Sequence, residues 1–147
     1  PFAKDDFEST EERLKYYNLK DPRLKIKHFP TREEYIKYLQ KGHVFLSCAR
    51  SEGWNLPLIE AMACGTPSIY SNCSAQLEFA KGRGLPVKIK GTTPALGGEY
   101  STYSQSDLSG EFYKPDYEDL KKVMRDSYEK NLLGLIWQRL LKKKSTI

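Results

Sequence analysis

"HVFLSCARSEGWNLPLIEAMACGTPSIYS", residues 43–71, places an apolar helix pattern between two short apolar segments. The segments "HVFLSCA" and "PSIYS" are mainly apolar or β-branched, as is typical of strands in a parallel sheet covered on both faces. Pro57 suits the start of the helix between them, because a missing N–H and a fixed φ are tolerated in a first helical turn. This order of elements predicts a right-handed βαβ unit.

The flanking sequence repeats the alternation of helix and strand. Ser9 and Thr31 each stand three residues before a glutamate, a capping-box spacing that predicts the start of a helix. The second of these helices should end at Gly42, and a later helix should begin with Asp116 as its N-cap. Further strands are predicted at "RLKIKHF" and "LPVKI". The predicted fold class is therefore α/β, with a Rossmann-like, doubly wound parallel sheet.

The length of 147 residues is that of about one domain. Residues 91–111 lack periodicity and are rich in Gly, Ser, Thr and Tyr, which predicts a long flexible loop, either a mobile surface excursion or a lid over a site. Residues 131–147 combine an apolar stripe with lysines and predict a basic amphipathic helix, which either docks on the protein or lies on a membrane surface. The chain begins at Pro1 without a signal sequence, so we expect a piece of a longer protein.

Charge and composition narrow the classes of ligand. The net charge of +5 favours anions such as phosphates, but dense Lys/Arg patches are missing, so we expect a phosphate-bearing small molecule and no nucleic acid. His28 and His43 stand away from any cysteine pair, and we therefore expect no metal site. The three cysteines have no metal-binding or redox spacing and fit a reduced, cytoplasmic protein. No apolar run is long enough to span a bilayer.

Two glutamates interrupt the apolar stretch. Glu60 lies one turn into the predicted helix, and its side chain leans back toward the N-terminus, where the helix dipole favours a carboxylate. Glu52 precedes a turn in which Gly53 and Asn55 are residue types that tolerate left-handed φ and can present successive N–H groups to an anion. The alternatives are a structural ion pair or cap for Glu60 and a solvated loop acid for Glu52. Two carboxylates beside an anion site can accept hydrogen bonds from the hydroxyl groups of a sugar.

"EGWNLPLIE" is an E-x7-E element, and "SEGWNLPLIEAMACGTPSIYSN" resembles the donor-site segment of retaining GT-B glycosyltransferases of the group 1, or family 4, type. Three other segments, "RLKIKHF", "TREEYIKYLQKGHVFLSCARSEG" and "YKPDYEDLKKVM", extend the resemblance to roughly residues 22–90 and 112–130. The resemblance implies the C-terminal, donor-binding half of a two-domain enzyme. Such an enzyme transfers a sugar with retention from a nucleotide-diphosphate sugar to a glycan, lipid or protein acceptor, and generally needs no metal or other cofactor.

The resemblance also implies roles for individual residues. Glu52 would be the catalytic residue that accepts hydroxyls of the transferred sugar, and Glu60 would bind the ribose. The donor sugar and the diphosphate would accept hydrogen bonds from the backbone N–H groups of Gly53, Trp54, Asn55 and Leu56.

Two features depart from the family pattern. The family commonly has glycine where this chain has Asn55, and no Arg and Lys pair that would clamp the diphosphate stands before Leu24. We therefore expect the first strands and the acceptor domain to be missing, the isolated chain to be inactive, and the open sheet edge to permit self-association.

Other functions are weighed against this one. A noncatalytic binding module would fit the basic tail and the missing clamp. A glycoside hydrolase is the third alternative, since two carboxylates can divide the acid and nucleophile roles, but it needs them on opposite sides of a bond.

Overall fold

The computed structural model describes residues 9–94, 110–129 and 134. In chain order the elements are α1 (Thr10–Tyr16), α2 (Arg32–Lys41), β1 (Phe45–Ser47), α3 (Leu56–Ala63), β2 (Ser68–Ser71), α4 (Leu77–Ala80), β3 (Leu85–Val87), β4 (Ile89–Pro94), β5 (Glu111–Pro115) and α5 (Tyr117–Glu129).

The first three strands form a parallel sheet in the order β1-β2-β3. Helix α3 connects β1 to β2, and α4 connects β2 to β3, which confirms the predicted βαβ unit and the α/β class with a parallel sheet. Strand β2 is buried at every residue because it pairs on both sides. The core joins all three kinds of element: Leu58 of α3, Tyr70 of β2 and Ala80 of α4 are each at most 1% exposed.

The predicted helix caps are confirmed. Ser9 Oγ accepts a hydrogen bond from the backbone N–H of Glu12 at 3.1 Å, and Thr31 Oγ1 accepts one from that of Glu34 at 3.2 Å. Asp116 Oδ1 accepts from two N–H groups in the first turn of α5. Each cap satisfies donors that have no partner inside the helix, which is why these polar residues mark where the helices begin.

The predicted strand at "RLKIKHF" is wrong. Residues 24–29 have no regular secondary structure, and Leu24 remains 45% exposed. The period-2 alternation does not decide which side chains turn inward, because Ile26 and Phe29 are half-buried whereas Leu24 and His28 are exposed. A strand also needs a hydrogen-bonding neighbour, and no strand of the described sheets pairs with this segment.

The predicted loop at 91–111 is wrong at both ends. Residues 91–94 belong to β4, and Glu111 begins β5; the two strands pair antiparallel in a separate two-stranded sheet. The predicted strand "LPVKI" is divided between β3 and β4, which lie in different sheets. Residues 95–109 lie outside the described part of the chain, as does the predicted helix at 131–147 apart from Gly134.

Candidate active site

The loop between β1 and α3 leaves the carboxyl end of a parallel strand, the edge at which α/β sheets bind ligands. It contains Glu52 and the turn that follows it, and Glu60 lies on the helix that it opens. The structure therefore places all the site residues predicted from the sequence on one continuous loop and helix.

Asn55 fixes the end of this loop. It has φ 59° and ψ 59°, in the left-handed region, and is 4% exposed. Its Oδ1 caps α3 by accepting from the N–H of Leu58 at 3.3 Å, and its Nδ2 donates to Ser47 Oγ at 2.8 Å and to Gln76 Oε1 at 2.6 Å. The side chain is thus used inside the protein, and only the backbone of Asn55 is left for a ligand. The expected left-handed φ holds for Asn55 and not for Gly53.

Gln76 completes a buried polar network. It is fully buried, accepts from Asn55, and donates through Nε2 to the carbonyl of Ser71 at the end of β2. Buried amides are hydrogen-bonded because leaving them unpaired is costly. The sequence pattern does not single out Ser47 or Gln76 as members of this network. For Gln76 the only indication is that a polar side chain stands directly before apolar Leu77.

The backbone N–H groups of residues 53–56 have no hydrogen-bond acceptor among the residues that the structure describes. Within the described part of the chain they donate no hydrogen bond, although Asn55 is buried. Those of Asn55 and Leu56 lie at the start of α3, where unsatisfied N–H groups and the helix dipole give the equivalent of about half a positive charge, and those of Gly53 and Trp54 lie in the loop directly before it. An anion that approaches this turn can accept several hydrogen bonds.

Glu52 and Trp54 are presented on the same turn. The Glu52 side chain is half-buried and makes no hydrogen bond or ion pair within residues 9–94 and 110–129. Trp54 is 49% exposed, with its ring centre 5.8 Å from that of Phe79. One carboxylate and one aromatic face are therefore available beside the unpaired N–H groups, and sugars present both the hydroxyls and the apolar faces that such groups contact.

Glu60 is held by α2. Arg32 Nη2 donates to Glu60 Oε1 at 2.9 Å, with the arginine side chain 70% exposed and the glutamate 27% exposed. This hydrogen bond is the largest cause that lowers the pKa of the Glu60 carboxyl below its usual value, and the nearby Tyr35 hydroxyl acts in the same direction. Burial, and then the Glu60 carboxylate, raise the pKa of the Tyr35 hydroxyl. Glu60 is thus ionised and partly accessible, and it already has cationic and hydroxyl donors beside it.

Neither Arg32 nor Tyr35 is predicted from the sequence. Both lie in a correctly predicted helix, but only the packing of α2 beside α3 reveals their contact with Glu60, 28 positions away for Arg32.

Residues 3–84, more than half of the chain, match the family model described as "Glycosyl transferases group 1". The chain belongs to this family. The matched residues include β1, the whole loop between β1 and α3, α3 and β2, and they end before β3 begins. The β4–β5 hairpin therefore lies outside the part of this group 1 glycosyltransferase chain that the family model describes.

Three relatives come from filamentous viruses. The chain is 43% identical over 56 residues to "Putative glycosyltransferase 48" of Sulfolobus islandicus filamentous virus (isolate Iceland/Hveragerdi), covering 38% of this chain and 17% of the relative. It is 28% identical over 97 residues to "Putative glycosyltransferase ORF330" of Acidianus filamentous virus 2 (isolate Italy/Pozzuoli), covering 66% and 24%. It is 46% identical over 59 residues to "Putative glycosyltransferase ORF313" of Acidianus filamentous virus 1 (isolate United States/Yellowstone), covering 40% and 18%.

The chain thus matches less than a quarter of the length of each of these three relatives. No solved structure matches it significantly.

The described residues show neither a metal cluster nor a membrane-spanning helix. Residues 9–94, 110–129 and 134 contain no group of three or more His, Cys, Asp or Glu side chains that could hold a metal ion. Among the same residues, no helix has both the length and the apolar character needed to cross a bilayer. The expectation of a metal-free site stays a prediction.

Replacing Arg32 with alanine should raise the pKa of the Glu60 carboxyl. The Arg32 hydrogen bond is the largest cause of the lowered pKa, so burial should then outweigh the remaining Tyr35 contact. A lowered pKa stabilises the fold above the pKa of the unfolded chain, and this contribution is lost as the pH falls through the folded value. Carbon-13 NMR titration of Glu60 in both proteins measures the shift.

Lys37→Ala is the matched control, because it removes a positive charge from the same helix without a described contact to Glu60. An unchanged Glu60 pKa in Arg32→Ala, or an equal rise in both variants, would show that the ion pair does not control this carboxyl.

Proposed function

We propose that this group 1 glycosyltransferase chain is the donor-binding half of a retaining GT-B enzyme. It binds a nucleotide-diphosphate sugar and takes part in its transfer to a glycan, lipid or protein acceptor held by another domain. The observation that carries the proposal is the turn at residues 53–56, which follows Glu52 and precedes Glu60 of α3. Within the described part of the chain, the N–H groups of this turn donate no hydrogen bond and the Glu52 carboxylate has no partner. In this proposal the sheet is the Rossmann-like, doubly wound layer of that half.

The diphosphate would lie at the start of α3. Backbone N–H groups of Gly53, Trp54, Asn55 and Leu56 would donate to its oxygens, and the helix dipole would favour its negative charge. Negative charge grows on the nucleoside diphosphate as the bond to the sugar breaks. Donors that are already oriented toward this charge stabilise the transition state without reorganising.

The two glutamates would bind hydroxyls at either end of the donor. Glu52, with no competing partner in the described part of the chain, would accept hydroxyl hydrogens of the transferred sugar. Glu60, ionised and next to Arg32, would accept those of the ribose. The remaining coordination positions of the Glu60 carboxylate allow this without loss of the ion pair, because an ionised carboxylate accepts about four hydrogen bonds.

The family resemblance also implies an Arg and Lys pair that clamps the diphosphate, and the turn at residues 53–56 contains no such pair. We therefore expect the chain alone to bind a nucleotide without transferring a sugar. Another chain or segment could complete the active site by pairing with the free edge of β1. Among the described residues β1 pairs only with β2, and its Leu46 is 41% exposed. Self-association through this edge stays an alternative use of the same surface.

A glycoside hydrolase is disfavoured by the placement of Glu52 and Glu60 on one continuous loop and helix, because its two carboxylates must lie on opposite sides of the bond that is cleaved. Cytoplasmic location, and peripheral membrane contact through residues 131–147, belong to the proposal as further expectations.

Isothermal titration with UDP, GDP and ADP tests the donor site. One of the three should bind, and Glu60→Ala should weaken it by about 10- to 100-fold, the effect of losing hydrogen bonds to a charged group. Glu52→Ala is the matched control, because it removes the other carboxylate but should change nucleotide affinity by no more than about twofold, since Glu52 meets the sugar and not the nucleotide. Absence of binding by all three nucleotides, or equal effects of the two substitutions, would contradict the assignment.

A further inference from the structure

The β4–β5 hairpin contacts the donor loop through Arg50. The backbone N–H of Tyr113 donates to the carbonyl of Arg50 at 2.9 Å, and Arg50 Nε donates to the carbonyl of Tyr113 at 3.3 Å. Arg50 Nη2 also donates to Thr93 Oγ1, and the guanidinium carbon lies 5.3 Å from the centre of the Phe112 ring. The hairpin therefore holds both the main chain and the side chain of Arg50, and both of its strands take part.

Arg50 and Asn55 hold the two ends of the presented turn. Asn55 is fixed by the buried network with Ser47 and Gln76. Residues 51–54, which lie between the two held positions, make no hydrogen bond within the described part of the chain. A short segment fixed at both ends loses less conformational freedom when a ligand binds, so its affinity for the ligand is higher.

We infer that Arg50 is a positioning residue that fastens the β4–β5 hairpin to the donor loop. This inference rests on the proposed function for the part that concerns nucleotide binding. Through Arg50, the hairpin fixes the conformation in which Glu52 and the N–H groups of residues 53–56 meet the donor. Because β4 and β5 lie beyond residues 3–84, this support comes from outside the segment that matches the family model.

Arginine is suited to this position for a geometric reason. Its planar guanidinium donates in two directions within its plane while its face lies against an aromatic ring. Lysine carries the same charge but cannot make the two directed hydrogen bonds and the ring contact together. Arg50→Lys should therefore behave like Arg50→Ala, which separates positioning from a general effect of positive charge.

Trp54 reports on the loop directly. The chain has two tryptophans, so Trp137→Phe leaves Trp54 as the only indole. In that background, Arg50→Lys and Arg50→Ala should raise the acrylamide quenching constant of Trp54 about twofold, because a released loop opens more often to solvent. Affinity for the nucleotide identified by titration should fall by about three- to tenfold. The Glu60 pKa, set by α2 and α3, should not move.

Thr93→Val provides a milder variant that keeps Arg50 itself. It removes the hydroxyl acceptor with little change of shape, and Thr92→Val is the matched control on the same strand, since Thr92 is exposed and its side chain has no described partner. Thr93→Val should increase Trp54 quenching, and Thr92→Val should leave it unchanged. These readouts are taken well below the unfolding temperature of each variant, so that global destabilisation does not affect them.

The outcomes separate the two proposals. Unchanged Trp54 quenching in the Arg50 variants and in Thr93→Val overturns the positioning role. Increased quenching without binding of any nucleotide by the parent protein supports the fastening of the loop and overturns the donor site. Nucleotide binding that Glu60→Ala weakens and that the Arg50 variants leave unchanged supports the donor site and overturns the contribution of Arg50.

Discussion

Replacement of Asn55 with alanine is expected to lower the free energy of unfolding by about 3 kcal/mol. This value combines the loss of an N-cap, the loss of buried hydrogen bonds and the strain of alanine at a left-handed φ. Alanine at φ 59° is strained by its Cβ, whereas asparagine accepts this conformation more readily. The substitution also leaves the buried Gln76 without its described donor partner. Urea unfolding followed by circular dichroism measures the change.

Asn55→Gly separates the backbone contribution from that of the side chain. Glycine takes the left-handed conformation without strain, so this variant should lose only the cap and the contacts to Ser47 and Gln76, about 1 kcal/mol. The difference between the two variants then gives the cost of the backbone strain. If Asn55→Gly is as destabilising as Asn55→Ala, the left-handed φ is not what requires asparagine here.

Local chemistry explains why the starts of the helices could be predicted from the sequence. A glutamate three residues after Ser9 or Thr31 marks a helix start whatever the rest of the chain does, because the cap lies within one turn. Pro57 and the apolar residues after it likewise indicate where α3 begins. The identities of Glu52 and Glu60 as candidate site residues depended on the same short stretch.

Contacts between distant residues could not be predicted in this way. Arg32 meets Glu60 across 28 positions, and Arg50 meets Thr93 across 43. No periodicity encodes either pair, since each depends on how separate elements pack. The missing strand at residues 24–29 has the same origin, because its alternation is local but its pairing partner is not. The part of the site set by α2 and by the hairpin therefore became visible only in the folded chain.

Gly84→Ala is expected to destabilise the fold by about 3 kcal/mol, at the upper end of overpacking effects. Gly84 is buried directly before β3, and a Cβ built there would lie 2.6 Å from the carbonyl oxygen of Ser68 and 3.3 Å from two ring carbons of Tyr70. Both residues belong to β2, which is paired on its two sides and buried throughout, so neither its backbone nor the ring can move aside cheaply. Equilibrium unfolding in urea measures the loss.

Gly53→Ala is the matched control for this substitution. A Cβ at Gly53 would meet nothing within 4 Å, and φ there is not in the left-handed region, so stability should change by no more than about 0.5 kcal/mol. The same added methyl group is thus tested at a packed strand junction and on the open loop between β1 and α3. Equal effects at the two positions would mean that the close approach of Gly84 to β2 does not limit the stability of the parallel sheet. A large loss at Gly84 alone would show that this sheet, which supports the candidate site, requires glycine at the junction.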